Sequence, residues 1–289
     1  MEAPQLSVID QPTMSGGSMV LGFNGWMDGG DVSTGTVDWF TRKLGALPVA
    51  EISPEGFYLY SFPGSMETAA LFRPQIKIEE GLVVSVRPPA NTFFCDTRSK
   101  VVLFNGVEPN LKWDEFAECI FAFAKRSGVT TIYFVGSYAG MVPHTREARI
   151  STIVSDIRLK PVLERYGLSF NNYEGPGSFS VYMTARARRH NLSMVDIVAE
   201  IPSYIQGPNP KAIQAVARKL QALLGLQLNL DDLQTLSDAW EQRVNEALES
   251  KNELIEFINK LEEAYDKEMF DTQLGDFKEW LEGQGIRLE

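Results

Sequence analysis

The sequence is poor in the residues from which most active sites are built. Its 289 residues include two cysteines, Cys95 and Cys119, and two histidines, His144 and His190. The cysteines fall in unrelated contexts and suggest no disulfide framework, so a reducing, cytoplasmic setting is expected. Cys119 lies near the apolar stripe of a predicted helix with nothing nearby to lower its pKa. It reads as a small buried hydrophobe and not as a nucleophile. Four such residues scattered along the chain give no metal-ligand spacing, so neither a metal nor a cofactor is expected. No G-x-S-x-G elbow exists, because Ser137 follows Gly136 without a second glycine two residues on. No 18 apolar residues run together and Met1-Glu2-Ala3-Pro4 carries no basic n-region, so membrane spanning and secretion are not expected.

An excess of basic charge is missing too. The net charge is −11, and residues 1–228 hold 21 Lys+Arg against 21 Asp+Glu, while residues 229–289 hold 6 against 17. The whole imbalance belongs to the tail. A neutral body with an acidic tail has no electrostatic footprint for nucleic acid or an anionic membrane.

What the chain does have is apolar residues in ordinary amount, 44% of the total. At this length one large domain over 1–228 and an appendage over 229–289 are expected. Thr130-Thr131-Ile132-Tyr133-Phe134-Val135-Gly136 is uncharged and rich in β-branched and aromatic residues, as in a strand buried on both faces. Ser18–Phe23 and Val101–Phe104 are further short apolar strands, and Val195–Ile201 reads as a strand. Leu47–Ile52, Phe57–Ser61, Leu82–Arg87 and Ala148–Val154 are further candidate strands. Between them, three- and four-residue spacing predicts helices. One carries Val32, Val37, Phe40 and Leu44, is capped by Asp31 or Ser33, and ends at Gly45. Others cover Trp113–Ala124, Leu159–Tyr166, Phe179–His190 and Lys211–Leu224. This alternation predicts a three-layer α/β/α sandwich, with some antiparallel pairing where no helix separates the middle strands.

The tail repeats apolar residues from Leu233 to Tyr265 at helical steps, with Asn229 as the expected N-cap. One unbroken helix there would be roughly 58 Å long at 1.5 Å per residue. A break near Ser250-Lys251-Asn252 is therefore expected, followed by a separate short helix over Leu274–Leu281.

Candidate chemistry gathers outside the carboxyl ends of the strands, where open α/β sheets place their ligands. Asn24-Gly25-Trp26-Met27-Asp28-Gly29-Gly30-Asp31 follows the first strand, but it is neither G-x-G-x-x-G nor a P-loop. A tight turn is the simpler reading. Ser137–Arg146 follows the central strand. It ends in His144, whose imidazole is suited to acid–base chemistry, and Arg146, able to hold an anion. Asp28 is a candidate to orient the imidazole; the alternative reading is that His144 only hydrogen-bonds its own loop. Trp26, Phe93, Phe94 and Tyr138 fall in predicted loops and read as interface residues.

Four stretches together resemble the proteasome assembly chaperone family, in its prokaryotic form with a helical C-terminal extension. They are Gly22–Gly30; Gly106-Val107-Glu108-Pro109-Asn110 with Trp113; Val142-Pro143-His144-Thr145-Arg146; and Glu200–Tyr204 leading to Asn209-Pro210-Lys211-Ala212. The resemblance implies a core related to the nucleoside phosphorylase and peptidyl hydrolase folds. It implies self-association as a homotrimer or a multiple of one, and service to other proteins, proteasome subunits among them. It carries over no catalytic residues. One departure concerns the docking tail of some members, because Leu288 stands where a tyrosine would be needed. The alternative is an enzyme on a phosphorylase-like scaffold, acting on a small anionic substrate through Asp28, His144 and Arg146.

Overall fold

Val129–Gly140 contains no charged residue and lies in the middle of a nine-stranded sheet. A computed structural model describes residues 4–70 and 72–283 of the chain. The elements in order are β1 (Leu6–Val8), β2 (Gly17–Asn24), α1 (Val32–Leu44), β3 (Leu47–Ile52), α2 (Met66–Ala70), β4 (Gln75–Glu79), β5 (Leu82–Arg87), β6 (Thr92–Asp96), β7 (Val101–Val107), α3 (Trp113–Arg126), β8 (Val129–Gly140), β9 (Ile150–Val154), α4 (Lys160–Glu164), β10 (Ser169–Phe170), α5 (Phe179–Ala187), β11 (Ser193–Pro202), α6 (Pro210–Leu223), α7 (Asp231–Leu248) and α8 (Asn252–Gly283).

The sheet runs β1-β3-β6-β7-β2-β8-β11-β9-β10. Its centre, β7-β2-β8-β11, is parallel. On one side β6, β3 and β1 continue in antiparallel steps. On the other, β9 is antiparallel to β11. Side chains alternate between the faces, as the two-residue strand period requires. Met19, Leu21 and Phe23 of β2 meet Phe116, Ile120 and Phe123 of α3 and Phe179 of α5. Val20 points the other way, into the core built with Val37 and Phe40 of α1 and Val216 and Leu220 of α6. The result is the expected α/β/α sandwich.

Several local expectations change. Neither Asp31 nor Ser33 caps α1: Asp31 is left-handed and gives no side-chain cap bond. Ser33 is buried, accepting from the Phe23 N–H at 3.0 Å and donating to the Val135 carbonyl at 2.5 Å. Phe57–Ser61 is not a strand. Phe57 is a buried plug, its ring 4.9 Å from Phe116, and its carbonyl takes the Asn110 and Leu111 amides. Phe93 and Phe94 lie on β6, and Tyr138 on β8, which runs on to Gly140, rather than in loops; Phe93 is wholly buried. Leu82–Arg87 is a strand, but it pairs only with the unanticipated β4, as a separate hairpin.

The tail forms two helices interrupted at residues 249–251, as its length suggested. The N-cap is Leu230, one residue later than expected, with Asn229 Oδ1 accepting from the Asp231 amide at 2.6 Å. No separate helix begins at Leu274, because residues 270–273 contain neither glycine nor proline and α8 continues through them. Leu288 lies outside the described residues.

Candidate functional site

Three loops meet beyond the carboxyl ends of β2, β8 and β11: residues 25–31, 141–149 and 203–209. The first approaches its neighbours closely through glycine. A Cβ on Gly22 would lie 2.7 Å from the Ser33 carbonyl oxygen, and one on Gly30, at φ +62°, 2.9 Å from the Asn209 Cβ. The Asn209 amide bonds the Gly30 carbonyl at 2.8 Å, and the Asn209 side chain caps α6 through the Ala212 amide at 3.0 Å. Ser137 ties the same loop to β8, donating its hydroxyl to the Gly29 carbonyl at 2.6 Å. Glu108, just after β7, accepts from the Trp26 amide at 2.7 Å and from the Phe179 amide at 3.0 Å.

Asp28 serves this scaffold. Its Oδ1 accepts the Thr34 amide at 3.0 Å and its Oδ2 the Thr34 hydroxyl at 2.8 Å, so it takes up a free amide at the start of α1. Burial raises its pKa above the ordinary carboxylate value, against the opposing pull of the Thr34 bonds. No hydrogen bond or ion pair links Asp28 to His144 or Arg146 among the described residues.

His144 is 2% exposed, and its partners come from elsewhere. Its backbone N–H donates to Tyr204 Oη at 2.9 Å, and its Nδ1 lies 2.9 Å from the same oxygen. Its Nε2 lies 2.9 Å from Asn245 Oδ1 on α7. The tautomer with hydrogen on Nε2 satisfies all three, with the tyrosine donating to Nδ1. Lys211 donates to the His144 carbonyl at 2.8 Å and also pairs with Glu241 of α7. Trp240 closes the site from above, its ring centroid 6.3 Å from the imidazole.

Arg146 is engaged in the same manner. Its Nε and a terminal nitrogen each lie 2.8 Å from a separate oxygen of Asp266, a two-pronged grip reinforced by Glu262 at 3.5 Å. Asp266 is the largest influence raising the guanidinium pKa further. Thr145 donates to Glu262, and Tyr265 donates to the Glu147 carbonyl at 3.0 Å. The structure thus brings His144 and Arg146 together beneath α7 and α8, and puts Asp28 to a different use. The space left among Val142, His144, Glu200, Lys211 and Trp240 is about 10 Å³, no more than one water.

No local sequence pattern signals the roles of Tyr204, Asn245, Glu262 and Asp266, which lie 60 to 120 residues from their partners. Asp196 is another. It sits fully buried in β11, its Oδ1 accepting from Thr184 at 2.8 Å and its Oδ2 without a partner. Burial pushes its pKa up to about 7. Among the described residues no three His, Cys, Asp or Glu side chains form a metal-binding group, and no helix is long and apolar enough to cross a membrane.

The model of the family described as PAC2 matches residues 22–248. A proteasome-assembly chaperone homologue from Mycobacterium tuberculosis is 28% identical, with a TM-score of 0.73 over 83% of this chain and 99% of that one. A PAC2 family protein from Streptomyces avermitilis is 25% identical, with a TM-score of 0.70 over 83% and 98%. A Mycobacterium tuberculosis protein of unknown function shares the fold over 96% of this chain and 93% of its own, at 21% identity and a TM-score of 0.80. Among curated proteins none matches the sequence.

Proposed function

This chain belongs to the PAC2 family, and from that premise we propose that it is an oligomeric, assembly-chaperone-like protein of the cytoplasm. It acts by binding proteins, its own copies included, as a trimer or a multiple of one. Its client class is multi-subunit assemblies of the proteasome kind, in line with the similarity to a mycobacterial proteasome-assembly chaperone homologue. Residues 1–228 are the scaffold and residues 229–289 an acidic extension, of which α7 and α8 close the crevice.

One observation carries this reading. The polar groups of His144, Thr145 and Arg146 bond within the chain, chiefly to α7 and α8, and the cavity beside them holds about one water. Such an arrangement fastens an extension in place and leaves a small substrate no room against the imidazole itself. Beside it, Trp26 is 70% exposed and Tyr138 40%, on a backbone held by Glu108 and β8. Rigidly mounted exposed aromatics suit protein recognition.

The test is capture of a tagged full-length chain from the cell that makes it, with untagged copies also expressed. Untagged chain and a second protein in fixed stoichiometry are expected. A Trp26→Ala variant keeps its fold and loses at least tenfold of the second protein. Recovery of the tagged chain alone contradicts the proposal.

A further inference from the structure

The hairpin β4–β5 is the one sheet apart from the main one among the described residues. Glu80 and Gly81 join its strands, both at positive φ (49° and 81°), which suits a tight two-residue turn. Ile76 faces Val86 and Ile78 faces Val83, with Val84 beside them at the register shift, so these side chains share one face. Gln75 opposite Arg87 and Lys77 opposite Ser85 make the other face polar, and Lys77 pairs there with Glu79 at 2.5 Å. The side chains of the apolar face are 49–62% exposed, while Leu82, opposite Glu79, stands on the polar face. A lone two-stranded hairpin is marginally stable in water, and an uncovered apolar face of this kind marks an interface.

Charge and area indicate what covers it. The tip carries Glu79 and Glu80, while the open end carries Arg73 and Arg87. Two such hairpins stacked face to face and antiparallel set each acidic tip beside the other's basic end; parallel stacking would set like charges together. The five side chains of this face, at roughly 100 Å² each, give about 1,000 Å² over two copies, the least that a specific interface buries. Antiparallel stacking of identical surfaces is a two-fold, self-complementary contact.

We propose that the apolar face of the hairpin 75–87 is a two-fold self-association surface, occupied by the same hairpin of a second copy. This rests on the self-association proposed above and specifies one of its contacts. Combined with a three-fold contact elsewhere it yields a hexamer, a multiple of the trimer.

Sedimentation equilibrium of the full-length protein tests it. Wild type is expected at an even multiple of 32.3 kDa. The exposed double variant Ile76→Asp/Val86→Asp is expected at half the wild-type mass, with an unchanged circular-dichroism melting curve. Arg73→Glu, which spares the apolar face, should weaken the contact about tenfold, and adding Glu80→Arg should restore it. An oligomeric wild type whose mass survives all three changes overturns this surface but not self-association. A monomeric wild type overturns both, and a hairpin that binds only a different protein overturns the surface.

Discussion

Asp196 occupies a position where the chain would gain from having no charge. Its carboxyl is buried against Thr184 in a strand otherwise rich in valine and isoleucine, and its pKa rises to about 7 because ionisation there goes unsolvated. The folded state therefore holds this proton over a pH range where the unfolded chain, titrating near its model value of 3.8, has lost it. Stability is greatest below the unfolded value and falls as pH rises from about 4 to 7. Asp196→Asn removes that dependence. Urea midpoints should show the variant gaining on wild type by about 2 kcal/mol from pH 5 to pH 8, since a pKa unit corresponds to about 1.4 kcal/mol and relaxation recovers part of it. A parallel pH profile for the two proteins would contradict the assignment. The residue itself was invisible in the sequence, because one acid inside an apolar run looks like any strand residue. His144 and Arg146 were visible for the opposite reason, as polar groups in a glycine- and proline-punctuated loop. Their partners Asn245 and Asp266 were not, since contacts over 100 residues leave no local spacing.

At the scale of elements, strands buried on both faces and one-sided helices were the most legible. β2, β7 and β8 carry uncharged, largely apolar runs, β11 is apolar apart from Asp196 and Glu200, and α1, α3 and α6 repeat apolar residues every three or four positions. β4 was missed because Gln75-Ile76-Lys77-Ile78-Glu79 is short, half polar and follows a proline, and it joins no main-sheet neighbour. Likewise the helical character of α8 was legible while its seat was not. Arg146 grips Asp266, Arg149 meets Glu268 at 2.7 Å, and Tyr265 packs under Arg149 at 4.7 Å. These pairs are largely exposed, so solvent screens them and each stabilises the seat only weakly. Arg146→Ala should accordingly loosen α8 without unfolding the body. Hydrogen exchange of α8 amides should accelerate about fivefold in that variant, with the sheet unchanged. Arg146→Lys should fall between, retaining charge but losing the two-pronged geometry. Equal protection of α8 in all three proteins would mean that apolar packing alone seats it.

The distribution of charge over the whole molecule becomes intelligible once the tail is in place. The acidic excess lies in residues 229–289, and several of those acids pair with cations of the body: Asp232 with Lys43, Glu241 with Lys211, Asp266 with Arg146. The tail is thus drawn to the crevice end and covers the polar loop that otherwise looks most like an active site. Sequence reasoning identified the sandwich and the helical tail, but no pattern in it disclosed that one lies across the other. The account rests on the chain acting through contacts with proteins, beginning with itself. The direct measurement is the molar mass of the purified full-length protein by light scattering over the micromolar range. The account predicts a stable multiple of 32.3 kDa, whereas a species of 32.3 kDa at every concentration would contradict it.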